Sequence, residues 1–283
     1  MPRGPINQGV STELFEYCLR ALNRFLHVYA VATEDQSIHT VTLEHVGPEV
    51  VLGLRKRRLG RNLDLVLPNK TAQFRGAETP GDDHLLPLLP RMLAAEPHGH
   101  PMDLVRRLKL RADRLADQGE PDSAIVVLQS SAERQVYALH RLARVDRGLL
   151  QSAADGMERA PFKKALIGLS EELGGNWSLQ GNGAVATYWR DLYELRGRLI
   201  HAGESVDRHA VADAFEAYET FRSFCMERVL GCRRRLPRTA LALYGGIGLE
   251  EAGCLDAHMR RIIEQVQVAG EEYNFWLPAD QRT

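Results

Sequence analysis

The chain has 283 residues, 44% of them hydrophobic and 26% charged, with a formal net charge of -1. Those fractions are ordinary for a globular protein, and the length suffices for one large domain or two modest ones with real cores. The near-neutral balance excludes a strong overall field for nucleic acid or an anionic membrane, so any such attraction must come from a local patch.

Residues 12–33 carry apolar side chains at helical spacing and predict an amphipathic helix, with Ser11 or Thr12 as its cap. Residues 39–43, 50–54 and 63–67 read as short strands punctuated by Gly47-Pro48 and Gly60. Residues 69–83 read as a polar loop and 85–95 as a short helix interrupted by proline. Glu96-Pro97-His98-Gly99-His100-Pro101 cannot continue a helix and is the expected domain boundary.

From residue 103 the helical period dominates. Helices are expected at 103–118, closed by Gly119 and Pro121, and at 122–147, capped by Asp122 or Ser123. Three more are expected at 162–173, at 184–201 ending near Gly203, and at 208–230. Short links between long amphipathic helices favour an antiparallel bundle. In the tail, 240–246 reads as a strand or buried turn and 257–268 as a helix. Phe275-Trp276-Leu277 reads as an aromatic anchor. The expected class is mainly α: an N-terminal α+β region at 1–100, a helical bundle at 103–230, and an extension at 231–283 packed on the body.

No apolar run approaches a bilayer-spanning length, and the polar start resembles no signal-peptide core. A cytoplasmic protein without a membrane partner is expected. Cys18, Cys225, Cys232 and Cys254 form no C-x-x-C pair, so reduced thiols are expected rather than a disulfide or zinc site. His98-Gly99-His100 lacks supporting metal ligands and is read as an exposed loop. Gly245-Gly246-Ile247-Gly248 lacks the Lys-Ser/Thr of a phosphate loop and is read as a turn.

Arg55, Lys56, Arg57 and Arg58, with Arg61 nearby, form the densest basic cluster. They suit a nucleic-acid backbone or, more simply, a solvated turn between strands. Five basic residues between Arg106 and Arg114 give the first bundle helix a basic side, and Arg233-Arg234-Arg235 reads as a charged helix end.

The densest chemistry lies in the fourth bundle helix, from Tyr188 to Gly203. Arg190, Glu194 and Arg198 are spaced four apart, which predicts ion pairs on one face. Arg196 and His201 are five apart, roughly 140° around an ideal helix, so they cannot meet as a local pair unless the helix loosens. Two copies of the helix facing each other could pool them. A histidine beside arginines suits phosphodiester cleavage, because imidazole moves protons near neutral pH and guanidinium stabilises charge on phosphate. The same residues also suit a plain helix end that satisfies its last carbonyls.

The phrase Leu195-Arg196-Gly197-Arg198-Leu199-Ile200-His201-Ala202-Gly203 resembles the signature of the HEPN superfamily, an arginine and a histidine separated by four to six residues near the end of a bundle helix. The phrase from Gly119 to Glu133 resembles that family's earlier helix. The resemblance covers about 103–229. It implies a compact helical bundle that dimerises with the motifs at the interface. It also implies a metal-independent endoribonuclease of the toxin or antiviral defence type that needs no cofactor. By that resemblance His201 and Arg196 are catalytic, with Arg198 and Glu194 as helpers, RNA as substrate, and an antitoxin or defence protein as possible partner. In active members the residue after the motif arginine is often Asn, Asp or His; here it is Gly197. The alternative is a non-catalytic module of the same type that binds RNA, a nucleotide or a partner protein.

Overall fold

The computed structural model describes residues 8–38, 40–42, 51–57, 60–66, 93, 99–148, 160–271 and 274–277. The chain is mainly helical and divides into two compact units, Met1–Leu93 and Ala94–Thr283.

In the first unit, helix α1 spans Gln8–Thr33 and so begins ahead of the expected start. Val28, Ala30 and Val31 are buried, while Tyr17, Leu22 and Phe25 of its apolar stripe stay exposed. The strand expected at 39–43 is corrected where it is described: residues 40–42 have no regular structure. The Asn23 amide takes both backbone groups of Val41, at 2.8 Å each, and leaves none for a sheet partner. Strands β1 (Val51–Arg57) and β2 (Gly60–Val66) pair antiparallel, from Val51 opposite Val66 to Arg57 opposite Gly60. Arg55, Lys56 and Arg57 therefore stand on a strand rather than in a turn, and Lys56 pairs with Arg61. Arg58, the loop expected at 69–83 and all of the helix expected at 85–95 except helical Leu93 lie outside the described residues.

The second unit carries α2 (Asp103–Asp117), α3 (Pro121–Asp146), α4 (Phe162–Leu173) and α5 (Ala184–Tyr188). A π-helical turn (Trp189–Tyr193) follows, then α6 (Glu194–Ala202), α7 (Arg208–Gly231), α8 (Pro237–Glu251) and α9 (Ala257–Val268). Helix α3 is the hub, with α2, α4, α6, α7 and α8 packed against it. Ala124, Ala132, Ala138 and Ala143 on its buried faces let those neighbours approach closely, and Leu128 and Leu139 fill the space between. The buried Ser131 hydroxyl donates to the Val105 carbonyl at 2.8 Å and lies 2.9 Å from the Tyr218 hydroxyl, tying α2, α3 and α7 together.

The helix ends correct two expectations and extend a third. Neither Asp122 nor Ser123 caps α3: Glu120 stands at the cap without a side-chain bond, Pro121 starts the helix, and the Asp122 carboxylate accepts from the Val206 N–H. The basic run after α7 closes that helix, with Arg233 donating to the Leu230 carbonyl at 3.4 Å, and basic residues here serve a second helix as well. Arg228 donates to the carbonyls of Gly174 and Leu173, and Arg235 to that of Glu172, which satisfies the last carbonyls of α4. The expected strand or turn at 240–246 is instead helix α8, started by Pro237 and broken at Gly245, whose φ of +63° is costly for other residues.

His100 is corrected too: it is a packed joint, not an exposed loop. Its Nε2–H donates to the Ala242 carbonyl at 2.9 Å, its Nδ1 accepts from the Met102 N–H at 3.2 Å, and its ring meets the buried Trp276 edge-on. That bonding requires a neutral imidazole. Burial lowers its pKa from 6.5 to about 4, helped by Arg106 and opposed by the Ala242 bond and Asp103. The unfolded chain therefore binds the extra proton first. The stabilisation is complete above the unfolded value of 6.5 and is lost as pH falls toward 4. Part of the residue keeps some accessibility, so about 3 kcal/mol is an upper limit. Urea unfolding of wild type and His100→Asn should show the variant losing less stability between neutral and mildly acid pH. Equal losses would contradict this reading.

Candidate functional site

Helix α6 ends where the sequence predicts, with Gly203 in the left-handed conformation at φ +67°. Upstream it is not a plain α-helix. Over Trp189–Tyr193 the ladder widens, and the Glu194 N–H bonds the Trp189 carbonyl five residues back. The wider turn brings side chains five apart onto neighbouring positions, and Trp189 Nε1–H donates to Glu194 Oε1 at 3.1 Å.

This overturns the ion pairs expected along the face. Arg190 pairs with Asp191 at 2.7 Å, and Arg198 pairs with Glu204 at 3.0 Å. Glu194 is taken by the indole, so Arg190, Glu194 and Arg198 are not joined in a ladder. Spacing rules for an ideal α-helix do not hold across the π turn.

Arg196 and His201 differ from these neighbours. His201 is exposed in the last turn of α6, Arg196 is half-buried, and neither makes a hydrogen bond or ion pair among the described residues. Both lie in the regular α-helical stretch, so their side chains leave the helix on different flanks, roughly 140° apart. The helix does not loosen between them, and they do not converge within one chain.

Gly197 stands between the flanks. A methyl group at its Cβ position would meet nothing within 4 Å, so the chain's own packing does not require glycine there. Glycine inside a helix costs about 1 kcal/mol relative to alanine. Gly197→Ala should therefore raise the unfolding free energy by up to about 1 kcal/mol in urea titrations. A loss of stability in protein dilute enough to keep copies apart would contradict the open space.

The resembling phrase of α3 meets this helix. Leu199 of α6 lines a groove of about 420 Å³ with Leu115, Val126 and Val127, rimmed by Arg111, Glu120, Asp122 and Ser123. Neither Arg196 nor His201 lines it. Arg55, Lys56 and Arg57 belong to β1 of the first unit.

Beneath the helix runs an aromatic chain that sequence reading did not find. Tyr188, fully buried, stacks on Phe221 at 4.2 Å between centroids, and its hydroxyl donates to Gln129 at 2.9 Å. Burial raises its phenol pKa well above the usual range, so it stays neutral. Phe162 contacts Tyr137 and Tyr188 edge-on and stacks with Tyr193 at 5.5 Å, and Tyr193 stacks with Trp189 at 4.0 Å.

Among the described residues no cluster of three or more His, Cys, Asp or Glu side chains is arranged to hold a metal ion. No helix there is long and apolar enough to cross a membrane. No protein-family model, curated protein or solved structure matches the chain.

Proposed function

We propose that this protein is a HEPN-type, metal-independent endoribonuclease whose site is assembled from Arg196 of one copy and His201 of another. The observation that carries this is the selective freedom of those two side chains. Arg190, Glu194 and Arg198 on the same helix all have partners, while Arg196 and exposed His201 have none among the described residues. A histidine that served only its own helix end would be tied to it.

Their divergence around the helix supports a shared site. Two helices packed face to face at Gly197 can approach closely, because no side chain stands there, and each then offers its arginine flank to the other's histidine flank. In the reaction, His201 takes the proton of a ribose 2′-hydroxyl and the freed oxygen attacks the adjacent phosphorus. Arg196 holds the non-bridging oxygens as charge builds, the bond to the 5′-oxygen breaks, and water protonates that oxygen. The products are a 2′,3′-cyclic phosphate and a 5′-hydroxyl. A toxin or defence role, with an antitoxin or other protein partner, extends the same reading. Arg55, Lys56, Arg57 and Arg58 remain an added site for the RNA backbone.

The test is incubation of the purified protein with single-stranded RNA in excess chelator, followed by end-group analysis. Cyclic phosphate ends are expected. Intact RNA would leave the rival, a non-catalytic module that binds RNA, a nucleotide or a partner protein.

A further inference from the structure

We infer that Trp189 is the seat on which a base of single-stranded RNA stacks, with Arg196 holding a phosphate of the same strand. The inference rests on the ribonuclease reading and names the feature that positions the substrate.

The stack Phe162–Tyr193–Trp189 is nearly parallel, with both interplanar angles at 21° and centroid distances of 5.5 and 4.0 Å. At its inner end Phe162 is buried and held edge-on by Tyr137 and Tyr188. At its outer end Trp189 is half-buried, and among the described residues Tyr193 is its one ring neighbour. Among those residues the ring series stops at this indole, and its remaining exposed surface is where one more flat ring would stack. The bond from Nε1 to Glu194 fixes the ring's rotation, so the platform is set before anything binds. The π turn creates this arrangement, and such turns occur often at functional sites.

Charge lies within reach. Arg196 follows Tyr193 by one turn and has no partner among the described residues. Trp189 and Arg196 are roughly 10 Å apart along the helix axis, the span from a stacked base to a phosphate of its neighbour. A positive group beside an aromatic face is the pattern by which single strands bind without sequence preference, since every base has a flat face to offer. A duplex hides those faces, so the occupant is unpaired RNA.

The experiment measures fluorescence anisotropy of a labelled 2′-O-methyl oligouridylate of about ten residues, which resists cleavage. The proteins are wild type, Trp189→Phe and Trp189→Leu, each with its thermal unfolding recorded. Leucine keeps apolar bulk and loses the flat face, so binding should weaken on the order of tenfold or more, while phenylalanine keeps most of it. An abasic strand of equal length should bind wild type and Trp189→Leu alike. Equal affinity of Trp189→Leu and wild type for the oligonucleotide overturns the stacking site and leaves the ribonuclease reading standing. No binding by wild type overturns both. Where Trp189→Leu does not fold, tryptophan emission of the wild type decides: quenching by the oligonucleotide but not by the abasic strand supports the site, and no quenching overturns it.

Discussion

His201→Ala is expected to slow RNA cleavage by roughly a hundred- to ten-thousandfold, the usual contribution of a positioned acid or base. The fold should be unaffected, because His201 is exposed and bonds to nothing in its own chain among the described residues. Removing it leaves neither a cavity nor an orphaned partner. The assay is initial-rate cleavage of single-stranded RNA in chelator, beside thermal unfolding of both proteins. Unchanged cleavage, or activity lost only in parallel with stability, would remove the histidine from the chemistry.

Phe221→Ala is expected to destabilise the second unit by about 3–5 kcal/mol, as for other buried phenylalanines cut to alanine. Phe221 has no exposed surface, stacks on Tyr188 at 4.2 Å and takes the edge of Trp177 at 6.5 Å. It joins α7 to α5 at the base of the aromatic chain under the site. Neutral Tyr188 would face a void while still holding Gln129. Urea unfolding would show the midpoint falling with little change in slope. A loss below about 1 kcal/mol would mean that the core collapses into the gap and that the ring contact matters little.

Much of the helical unit is legible in the sequence because its signals are local and strong. The Phe162–Leu173 and Ala257–Val268 helices follow apolar period and breaker residues to the residue. The left-handed Gly203 ends α6 as a glycine after a periodic run should. The misses come from contacts distant in the chain or from backbone the period cannot reveal. Asp122 is taken by Val206, far along the chain, so a good capping residue does not cap. Residues 237–251 form a helix because buried Leu241, Ala242 and Leu243 are covered by tertiary packing, against the pull of three nearby glycines.

The π turn is the costliest miss. Trp189 to Tyr193 reads as ordinary helix, and one widened turn gives Glu194 to the Trp189 indole instead of to an arginine. Spacing alone does not separate Arg196 and His201 from their charged neighbours; the structure does, because Arg190, Glu194 and Arg198 are bound elsewhere. Likewise, no spacing rule foretells that His100 bridges Ala242 and Met102 against Trp276.

The shared site is tested most directly by co-expressing differently tagged Arg196→Ala and His201→Ala chains and purifying the mixed dimer. One of its two composite sites would then hold both an intact arginine and an intact histidine, so the mixed dimer should recover close to half the cleavage rate of wild type while each variant alone stays inactive. A folded mixed dimer as inactive as its parents, or a protein that never associates, would contradict a site built across two copies.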